Sequence, residues 1–211
     1  MAELPMVPTF SKLILSSGEF GCSEEIITIV AMLQVESVFQ TPFGQLAAKA
    51  RIERRKFEVG EGDLITLLNV FNAFMKSGGS KQFCNKHFLH YKRLKRALEL
   101  RNQMMKTCSK LDIPLVSSGY DTEAVLKCIT AGFFPNAVYL HYTGVYHTVR
   151  GDQPVHIHPT SVLYTLPQPQ WMVFAEIIHT NQIYVRDLTV VKPEWLKEAA
   201  PHFYTTITEK N

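Results

Sequence analysis

Apolar residues recur every three to four positions through the first half of the chain, from about residue 9 to residue 111. This spacing places them on one face of an α-helix, as in the segments EEIITIVAMLQV and DLITLLNVFNAFM. Glycines separate the segments, and Ser23 and Asp63 stand where helix N-caps are expected. The pattern predicts a bundle of five to seven helices, the longest over about residues 90–110.

The pattern of the second half is different, because short segments rich in Val, Ile, Tyr, Phe and Thr replace the helical period. Five such segments predict five short strands: VYLHYTGVYHTV, PVHIHP, SVLYTL, WMVFAEIIHT and QIYVRDLTVV. Helices are predicted on either side, from Asp121 to a break near Pro135 and over about residues 193–200. Five strands suggest a small barrel, for which an OB-fold and an SH3-like barrel both fit. The predicted fold class is therefore α+β, an all-helical bundle followed by a small five-stranded barrel with flanking helices.

Composition adds that the chain can build real cores, since 46% of its 211 residues are hydrophobic. The segment PLVSSG, residues 114–119, is the best candidate for a linker between two domains. No apolar run approaches the roughly 20 residues of a membrane span, and the N-terminus lacks the features of a secretory signal, so an intracellular protein that uses no membrane is expected. The four cysteines are widely separated, which favours free buried thiols over disulfides.

The positive charge is concentrated in one window. Between Lys81 and Lys110 there are nine lysines and arginines and a single acid, Glu99. This window therefore carries +8, whereas the whole chain carries only +3. A concentrated cationic surface suits a polyanion such as nucleic acid, although a solvated helix face explains the same charges equally well.

Arg101 breaks the pattern of the long basic helix. At 100° per residue it falls in the middle of an apolar face. The other members of that face are Tyr91, Leu94, Leu98, Met105 and Cys108. Burying an unpaired guanidinium is costly, so Arg101 either pairs with a carboxylate inside the protein or faces a polar channel where a phosphate or base edge can meet it.

Motifs for chemistry are missing from the sequence. It has no Walker A motif, no Gly-x-Ser-x-Gly, no H-E-x-x-H and no paired-cysteine spacing, so no catalytic residue is assigned. His156 and His158 would share one face of a strand and could supply two zinc ligands, but a zinc site needs one or two more. We therefore expect no bound metal and no ATPase activity of this chain alone.

Eight segments spread over nearly the whole chain resemble a known family. In order they are LPMVPTFSKLIL, GCSEEIITIVAMLQVESVF, EGDLITLLNVFNAF, CNKHFLHYKRLKRALELRNQM, AGFFPNAVY, VHIHPTSVLY, IHTNQIYVRDLTVV and EWLKEAAPHFY. Together they resemble the C-terminal region of the DEAH-box RNA helicases, in the spliceosomal-type branch. The resemblance implies a ratchet-like, helicase-associated domain over residues 5–113 and an OB-fold domain over residues 120–205. It also assigns VHIHPTSVLY to a barrel strand and its turn rather than to a zinc site.

The resemblance further implies a set of RNA-binding residues. In the family, single-stranded RNA lies between the motor domains and the ratchet-like and OB-fold domains, and the ratchet-like domain's long helix carries an arginine that Arg101 matches. The candidates that follow are Lys95, Arg101, His158, Thr160, Ser161, Thr180 and Arg186. One departure is that Thr180 is followed by Asn181 and Gln182, where the family often has a lysine. We therefore expect weaker RNA affinity on the barrel side.

The parent protein implied by the resemblance is an ATP-dependent RNA helicase, an ATP hydrolase acting in pre-mRNA splicing or related nuclear RNA processing. Its two RecA-like domains, which would use ATP and Mg²⁺, and its winged-helix domain would be the intramolecular partners of this chain. A nuclear location is expected, with the cytoplasm as an alternative. Two other interpretations stay open: a module that docks proteins such as a G-patch activator or spliceosomal proteins, and a region of a degenerate helicase paralogue.

Overall fold

The computed structural model describes residues 6–208 of the chain. Its first half forms six helices: α1 (Pro8–Ser17), α2 (Ser23–Leu33), α3 (Gln45–Arg55), α4 (Asp63–Lys76), α5 (Lys81–Lys86) and α6 (Tyr91–Lys110). The predicted bundle of five to seven helices is confirmed, and α6 coincides with the predicted long basic helix. The predicted domain start at residue 5 lies outside the described residues.

The two predicted N-caps are wrong. Ser23 and Asp63 are the first residues of α2 and α4, and the cap positions belong to Cys22 and Gly62. Both side chains instead accept or donate hydrogen bonds over long sequence distances. The Ser23 hydroxyl donates to the carbonyl oxygen of Pro114 at 2.6 Å, and the Asp63 carboxylate contacts the barrel.

Helix α2 is the centre of the helical half. It packs against α1, α4 and α6, and most of its side chains are buried. Against it α6 presents a single buried line of residues: Leu94, Ala97, Met104 and Cys108. The spacing of 100° per residue predicted Leu98 and Met105 on this face, whereas the structure buries Ala97 and Met104. Arg101 lies in the middle of the buried line.

The second half begins with α7 (Thr122–Phe133) and continues into a closed barrel. Its strands are β1 (Ala137–Leu140), β2 (Tyr146–Thr148), β3 (Pro154–Ile157), β4 (Trp171–His179) and β5 (Ile183–Val190). Helices α8 (Pro193–Ala199) and α9 (Pro201–Thr208) follow the barrel. The α+β class and the helical bundle followed by a five-stranded barrel are confirmed.

The barrel closes in the order β1-β2-β3-β5-β4, with β4 returning to β1. Strands β3 and β5 run parallel, and the other neighbouring pairs are antiparallel. Its interior is filled by side chains that alternate with outward-facing ones, among them Val138, Tyr146, Val155, Met172, Val185 and Leu188. Side chains fill the interior of the barrel, so a ligand can bind only to its outer face and its loops.

One of the five predicted strands is wrong. The segment SVLYTL forms a short 3₁₀ turn, Val162–Tyr164, whereas VYLHYTGVYHTV supplies two strands, β1 and β2, joined by a tight loop. The cause is hydrogen bonding by side chains. The Ser161 hydroxyl accepts from the Leu163 amide, and the Asp63 carboxylate accepts from the Val162 amide at 2.8 Å, so neither amide is free for a strand partner.

The two halves share one hydrophobic core. Helix α7 packs on α1, β5 packs on α4, and the largest cluster of buried side chains includes residues from both halves. Residues 114–119 are held against α2, where the Val116 amide donates to the Ser23 hydroxyl at 2.8 Å. The boundaries at residues 113 and 120 stay a prediction, but the segment between them is docked rather than a loose tether.

Two further observations concern the predictions from composition. All four cysteines are buried and unpaired, as predicted. Within residues 6–208 no helix is both long enough and apolar enough to cross a membrane.

Candidate RNA interface

Arg101 lies where the two hydrophobic clusters of the helical half meet. Leu94 and Ala97 belong to one cluster, and Met104 and Cys108 to the other. The Arg101 Nε donates to the Thr28 hydroxyl oxygen at 2.8 Å, and the guanidinium carbon lies 5.8 Å from the centre of the Phe71 ring. The side chain is half-buried.

The contacts of Arg101 distinguish an internal ion pair from a side chain that faces a polar channel. No carboxylate of the described residues lies within ion-pair distance of its guanidinium, which excludes the internal ion pair in this part of the chain. Its neutral partner, Thr28, occupies only Nε. The two terminal nitrogens have no hydrogen-bond partner among residues 6–208, so they are available to an external acceptor. Contact with RNA stays a prediction.

Lys95 lies on a different side of α6 and is exposed. Its ammonium nitrogen is 5.9 Å from the centre of the Tyr91 ring. Among the neighbouring cations, Arg93 pairs with Glu36 and Arg96 pairs with Glu99. These two ion pairs neutralise part of the positive charge of α6. The charge of Lys95 is not neutralised in this way and can attract an external anion.

Asp63 connects α4 to two elements of the barrel. Its carboxylate accepts from the Ser161 hydroxyl at 2.6 Å, from the Val162 amide at 2.8 Å and from the Leu188 amide at 2.9 Å. All three donors are buried. Ser161 is itself only 6% exposed, so its hydroxyl serves this internal bond, and the structure gives no support for its predicted contact with RNA.

Gly62 allows this approach. Its backbone bridges to Thr189 of β5, and it has a φ of +113°. A Cβ built on it would lie 2.3 Å from the carbonyl oxygen of Leu188, closer than any side chain tolerates. Only glycine therefore fits between α4 and β5 at this point.

Arg54 joins α3 to the loop after β3. Its Nη2 donates to the carbonyl oxygen of Thr160 at 2.6 Å, its Nε lies 3.0 Å from Glu58, and its guanidinium carbon stands 4.4 Å above the Phe39 ring. Arg51 and Arg55 are exposed beside it. A cavity of about 110 Å³ lies next to this contact, and its lining includes Phe39, Arg54, Asp63, Thr160 and Asp187.

The loop after β3 carries His158 and Thr160. The Thr160 hydroxyl bonds to His158 Nδ1 at 2.7 Å, and the Thr160 amide donates to the same nitrogen at 3.2 Å. The His158 ring contacts Tyr184 edge-on at 5.6 Å. Thr160 is exposed and His158 is half-buried, so both can meet a ligand at the barrel surface.

Thr180 and Arg186 belong to the β4–β5 hairpin. The Thr180 hydroxyl donates to the carbonyl oxygen of Gln182 at 3.0 Å and closes the turn. Arg186 pairs directly across the strands with Glu176, where its Nε lies 2.7 Å from the carboxylate. This hydrogen bond raises the pKa of Arg186, and the pair reduces the charge that Arg186 can offer to phosphate.

Asp187 is a second acid at the junction between α4 and the barrel. It has a φ of +54° and lines the same cavity as Asp63. Burial, together with the nearby charge of Asp63, raises the pKa of Asp187 to about 6, while Arg186 opposes the shift. Asp187 therefore keeps its proton to a higher pH than an exposed aspartate does.

The structure brings the predicted site residues together in two groups. His158, Thr160, Thr180 and Arg186 lie on the barrel, where Tyr184 links the loop to the hairpin, since its hydroxyl donates to the Gln182 side chain. Lys95 and Arg101 lie on α6, in the helical half. Asp63, which contacts the barrel, and Phe71, which contacts Arg101, are eight positions apart in α4, a rise of about 12 Å.

Sequence reasoning missed three contributors to the junction, namely Arg54, Asp187 and the barrel contact of Asp63. A signal for the first existed in the basic run KARIERRK at residues 49–56, which lies outside the strongly charged window. The other two had none, because their partners are distant in sequence. In the described part of the chain no group of three or more His, Cys, Asp or Glu is placed to hold a metal ion.

Comparison with known proteins points in one direction. Residues 7–67 match the helicase associated domain (HA2), ratchet-like, and residues 125–204 match the oligonucleotide/oligosaccharide-binding (OB)-fold. The chain is 46% identical over 209 residues to "Probable ATP-dependent RNA helicase DHX35" of Pongo abelii and 42% identical over 213 residues to its Caenorhabditis elegans homolog. It is 41% identical over 204 residues to "ATP-dependent RNA helicase DHX33" of Mus musculus. These alignments cover 97% to 99% of the chain.

The chain belongs to the helicase-associated and OB-fold part of the DEAH-box RNA helicase family. It spans 29% of the length of each of these relatives. The ratchet-like match ends within α4, and the OB-fold match begins within α7. The basic helix α6 lies between the two matched spans.

Proposed function

We propose that this chain grips single-stranded RNA for the motor of an ATP-dependent DEAH-box helicase that acts in pre-mRNA splicing or related nuclear RNA processing. The motor itself, two RecA-like domains using ATP and Mg²⁺, would belong to the same parent protein together with a winged-helix domain. In this proposal the chain forms one wall of the RNA channel and holds the strand while the RecA-like domains move along it.

The observation that carries this proposal is the environment of Arg101. A permanently charged group stands on the buried line of α6, held by one neutral hydroxyl, with no carboxylate beside it in the described residues and with two nitrogens free. The Thr28 hydroxyl and the Phe71 ring are neutral, so no side chain of residues 6–208 supplies a negative charge to balance that of Arg101. A phosphate of bound RNA would supply it, and a guanidinium is well suited to bidentate contact with phosphate.

Affinity should come from phosphates rather than from base readout. Lys95, Arg101 and Arg186 are the cations among the proposed RNA ligands, and three phosphate contacts on a single strand give a salt slope of about −2. Raising the salt from 50 to 200 mM should therefore weaken binding roughly 20-fold. Sequence preference should be slight.

Titration of single-stranded RNA at several salt concentrations tests this function. A steep loss of affinity with salt supports the phosphate grip. Absence of binding at 50 mM salt would contradict it, and so would an affinity that salt leaves unchanged.

A second candidate function is the docking of proteins, such as a G-patch activator or spliceosomal proteins. The observation that favours it is the exposed apolar surface of α3 and the loop before it, where Phe43 is 94% exposed, Ile52 58% and Leu46 50%. Only Ala50 of this helix is buried. Binding of a protein there would depend on apolar area and resist salt, which separates it from RNA binding in the same titration.

A further inference from the structure

A row of planar side chains crosses the outer face of the barrel. Tyr139 of β1 stands in register between His147 of β2 and Trp171 of β4. Its neighbour Val138 points into the barrel and is fully buried, so Tyr139 points outward. Three adjacent strands therefore place three rings side by side on one outward face.

The row continues into the β1–β2 loop. Ring centres lie 5.5 Å apart for Tyr139 and Trp171 and 6.1 Å apart for Tyr139 and His147. His147 stacks on His141 at 4.3 Å with an interplanar angle of 21°, and His141 lies 4.0 Å from Tyr142. We name this set of five side chains, Tyr139, His141, Tyr142, His147 and Trp171, the aromatic platform.

Hydrogen bonds hold the platform in place. The Tyr139 hydroxyl donates to the Asp152 carboxylate at 2.8 Å, and His147 Nδ1 bonds to the same oxygen at 2.9 Å. Both hydrogen bonds lower the pKa of Asp152, and the bond from Tyr139 has the larger effect. Asp152 has a φ of +47°, in the tight turn between β2 and β3. His141 is fixed separately by the hydroxyl of Thr143 at 2.8 Å. Tyr139, His141 and His147 are thus held in position before any ligand arrives.

Sheet stability alone does not account for this arrangement. Cross-strand pairs of aromatic side chains stabilise antiparallel sheets, which explains Tyr139, His147 and Trp171. It does not explain Tyr142, which lies in the loop and is 94% exposed. Tyr142 stands at the end of a series of ring contacts and lies in solvent, so its ring face is open to a ligand.

We propose that the aromatic platform stacks bases of single-stranded RNA, an inference that rests on the proposed function of RNA binding. All five side chains are planar, and each carries a polar ring atom or hydroxyl. The platform contains no aliphatic side chain of the kind that forms the core of a protein interface. Its exposed end is the β1–β2 loop, one of the loops through which OB-folds bind oligonucleotides.

The low charge around the aromatic platform distinguishes base stacking there from the proposed phosphate contacts of Lys95, Arg101 and Arg186. Between residues 137 and 171 the only full charges are Arg150 and Asp152, which cancel. The platform therefore has little attraction for phosphate. Its contribution should require the bases of the RNA and should change little with salt, because base–aromatic stacking is not driven by counterion release.

The experiment compares two ligands that differ only in their bases, an oligouridine strand and an abasic ribose-phosphate strand of the same length. The wild-type chain should bind oligouridine about 5- to 150-fold more tightly, the range expected for stacking of one base. Tyr142→Ala and the double variant His141→Ala with Tyr142→Ala should progressively remove this preference and leave the affinity for the abasic strand unchanged.

Two controls isolate the platform. Tyr120 is also fully exposed but lies outside the platform, so Tyr120→Ala should keep the wild-type preference. Arg101→Ala should weaken the binding of both strands alike, because it acts on phosphate. The melting temperature of Tyr142→Ala should equal that of the wild type, because the side chain that this substitution removes lies in solvent.

Three results would overturn the platform proposal. Equal wild-type affinity for the two strands refutes base stacking but preserves the phosphate grip. Lack of binding to either strand refutes both. A dimer that Tyr142→Ala disperses, with the uridine preference intact, would assign the platform to contact between two copies of the chain.

Discussion

Replacing Asp63 by alanine should be among the most damaging single changes at the junction of helices and barrel. The carboxylate accepts three hydrogen bonds from buried donors, two of which are the backbone amides of Val162 and Leu188. In Asp63→Ala these amides stay buried without an acceptor, at about 1 to 3 kcal/mol each. The Ser161 hydroxyl can rotate and adds less. We expect a loss of about 4 kcal/mol in the free energy of unfolding.

A loss of this size is easily measured. For a chain of about 200 residues it corresponds to a fall in melting temperature of roughly 8 to 16 °C. Urea unfolding followed by tryptophan fluorescence gives the free energy directly. Hydrogen exchange should also show lower protection for the amides of Val162 and Leu188, while the amides of α6 keep theirs.

Asp121→Ala is the matched control. Asp121 is an exposed N-cap that accepts one hydrogen bond, from the Ala124 amide at 3.1 Å, and losing it should cost only about 1 kcal/mol. Equal urea midpoints for Asp63→Ala and Asp121→Ala would refute the reasoning, because the three bonds would then contribute no more than one surface cap.

Three further predictions follow from the same junction and from the chain's chemistry. The pKa of Asp187 is about 6 in the folded protein and ordinarily 3.8, so folding favours the protonated form of this carboxyl. Its contribution to the free energy of unfolding is therefore complete below about pH 4 and is lost as the pH rises through 6. Asp187→Asn, which tolerates the φ of +54°, should match the wild type near pH 4 and exceed it at pH 8 by up to about 3 kcal/mol in urea unfolding; a pH-independent difference would contradict this. Gly62→Ala should cost more than about 2 kcal/mol because its Cβ meets the Leu188 carbonyl, whereas Gly60→Ala, with open space around it, should be nearly neutral; equal melting temperatures would refute the close approach. Phosphate release from ATP should stay at background with or without RNA, and turnover that persists through independent purifications would contradict the expectation that this chain has no ATPase activity of its own.

Periodicity predicted the architecture because it is a local signal. The 3.6-residue pattern located α6, and the change to strand-like segments located the barrel. The failures share a cause. SVLYTL has strand composition, but Asp63, nearly a hundred residues earlier, binds its amide, and no local pattern contains that contact. The caps failed for the same reason, since Ser23 and Asp63 bind distant segments.

The candidate site was predictable to a similar extent. Arg101 was located correctly on the buried line of α6, because helix geometry alone decides that. Its partner Thr28 lies 73 residues away, and only the fold reveals that this partner is neutral. The aromatic platform likewise exists only because barrel closure brings β4 beside β1. Residue type and spacing gave candidates, and tertiary contacts decided which groups remain free.

The most direct test of the central claim is single-stranded RNA binding by Arg101→Ala, measured together with its melting temperature. Arg101→Ala removes one hydrogen bond from the half-buried guanidinium to the Thr28 hydroxyl, so stability should fall by only about 1 to 2 kcal/mol. RNA affinity should fall by about 1 to 3 kcal/mol for all sequences alike, while Lys92→Ala, on the exposed side of α6, should change both quantities little. A large loss of stability with unchanged affinity per folded molecule would contradict the account, because Arg101 would then be a structural residue and not part of an RNA grip.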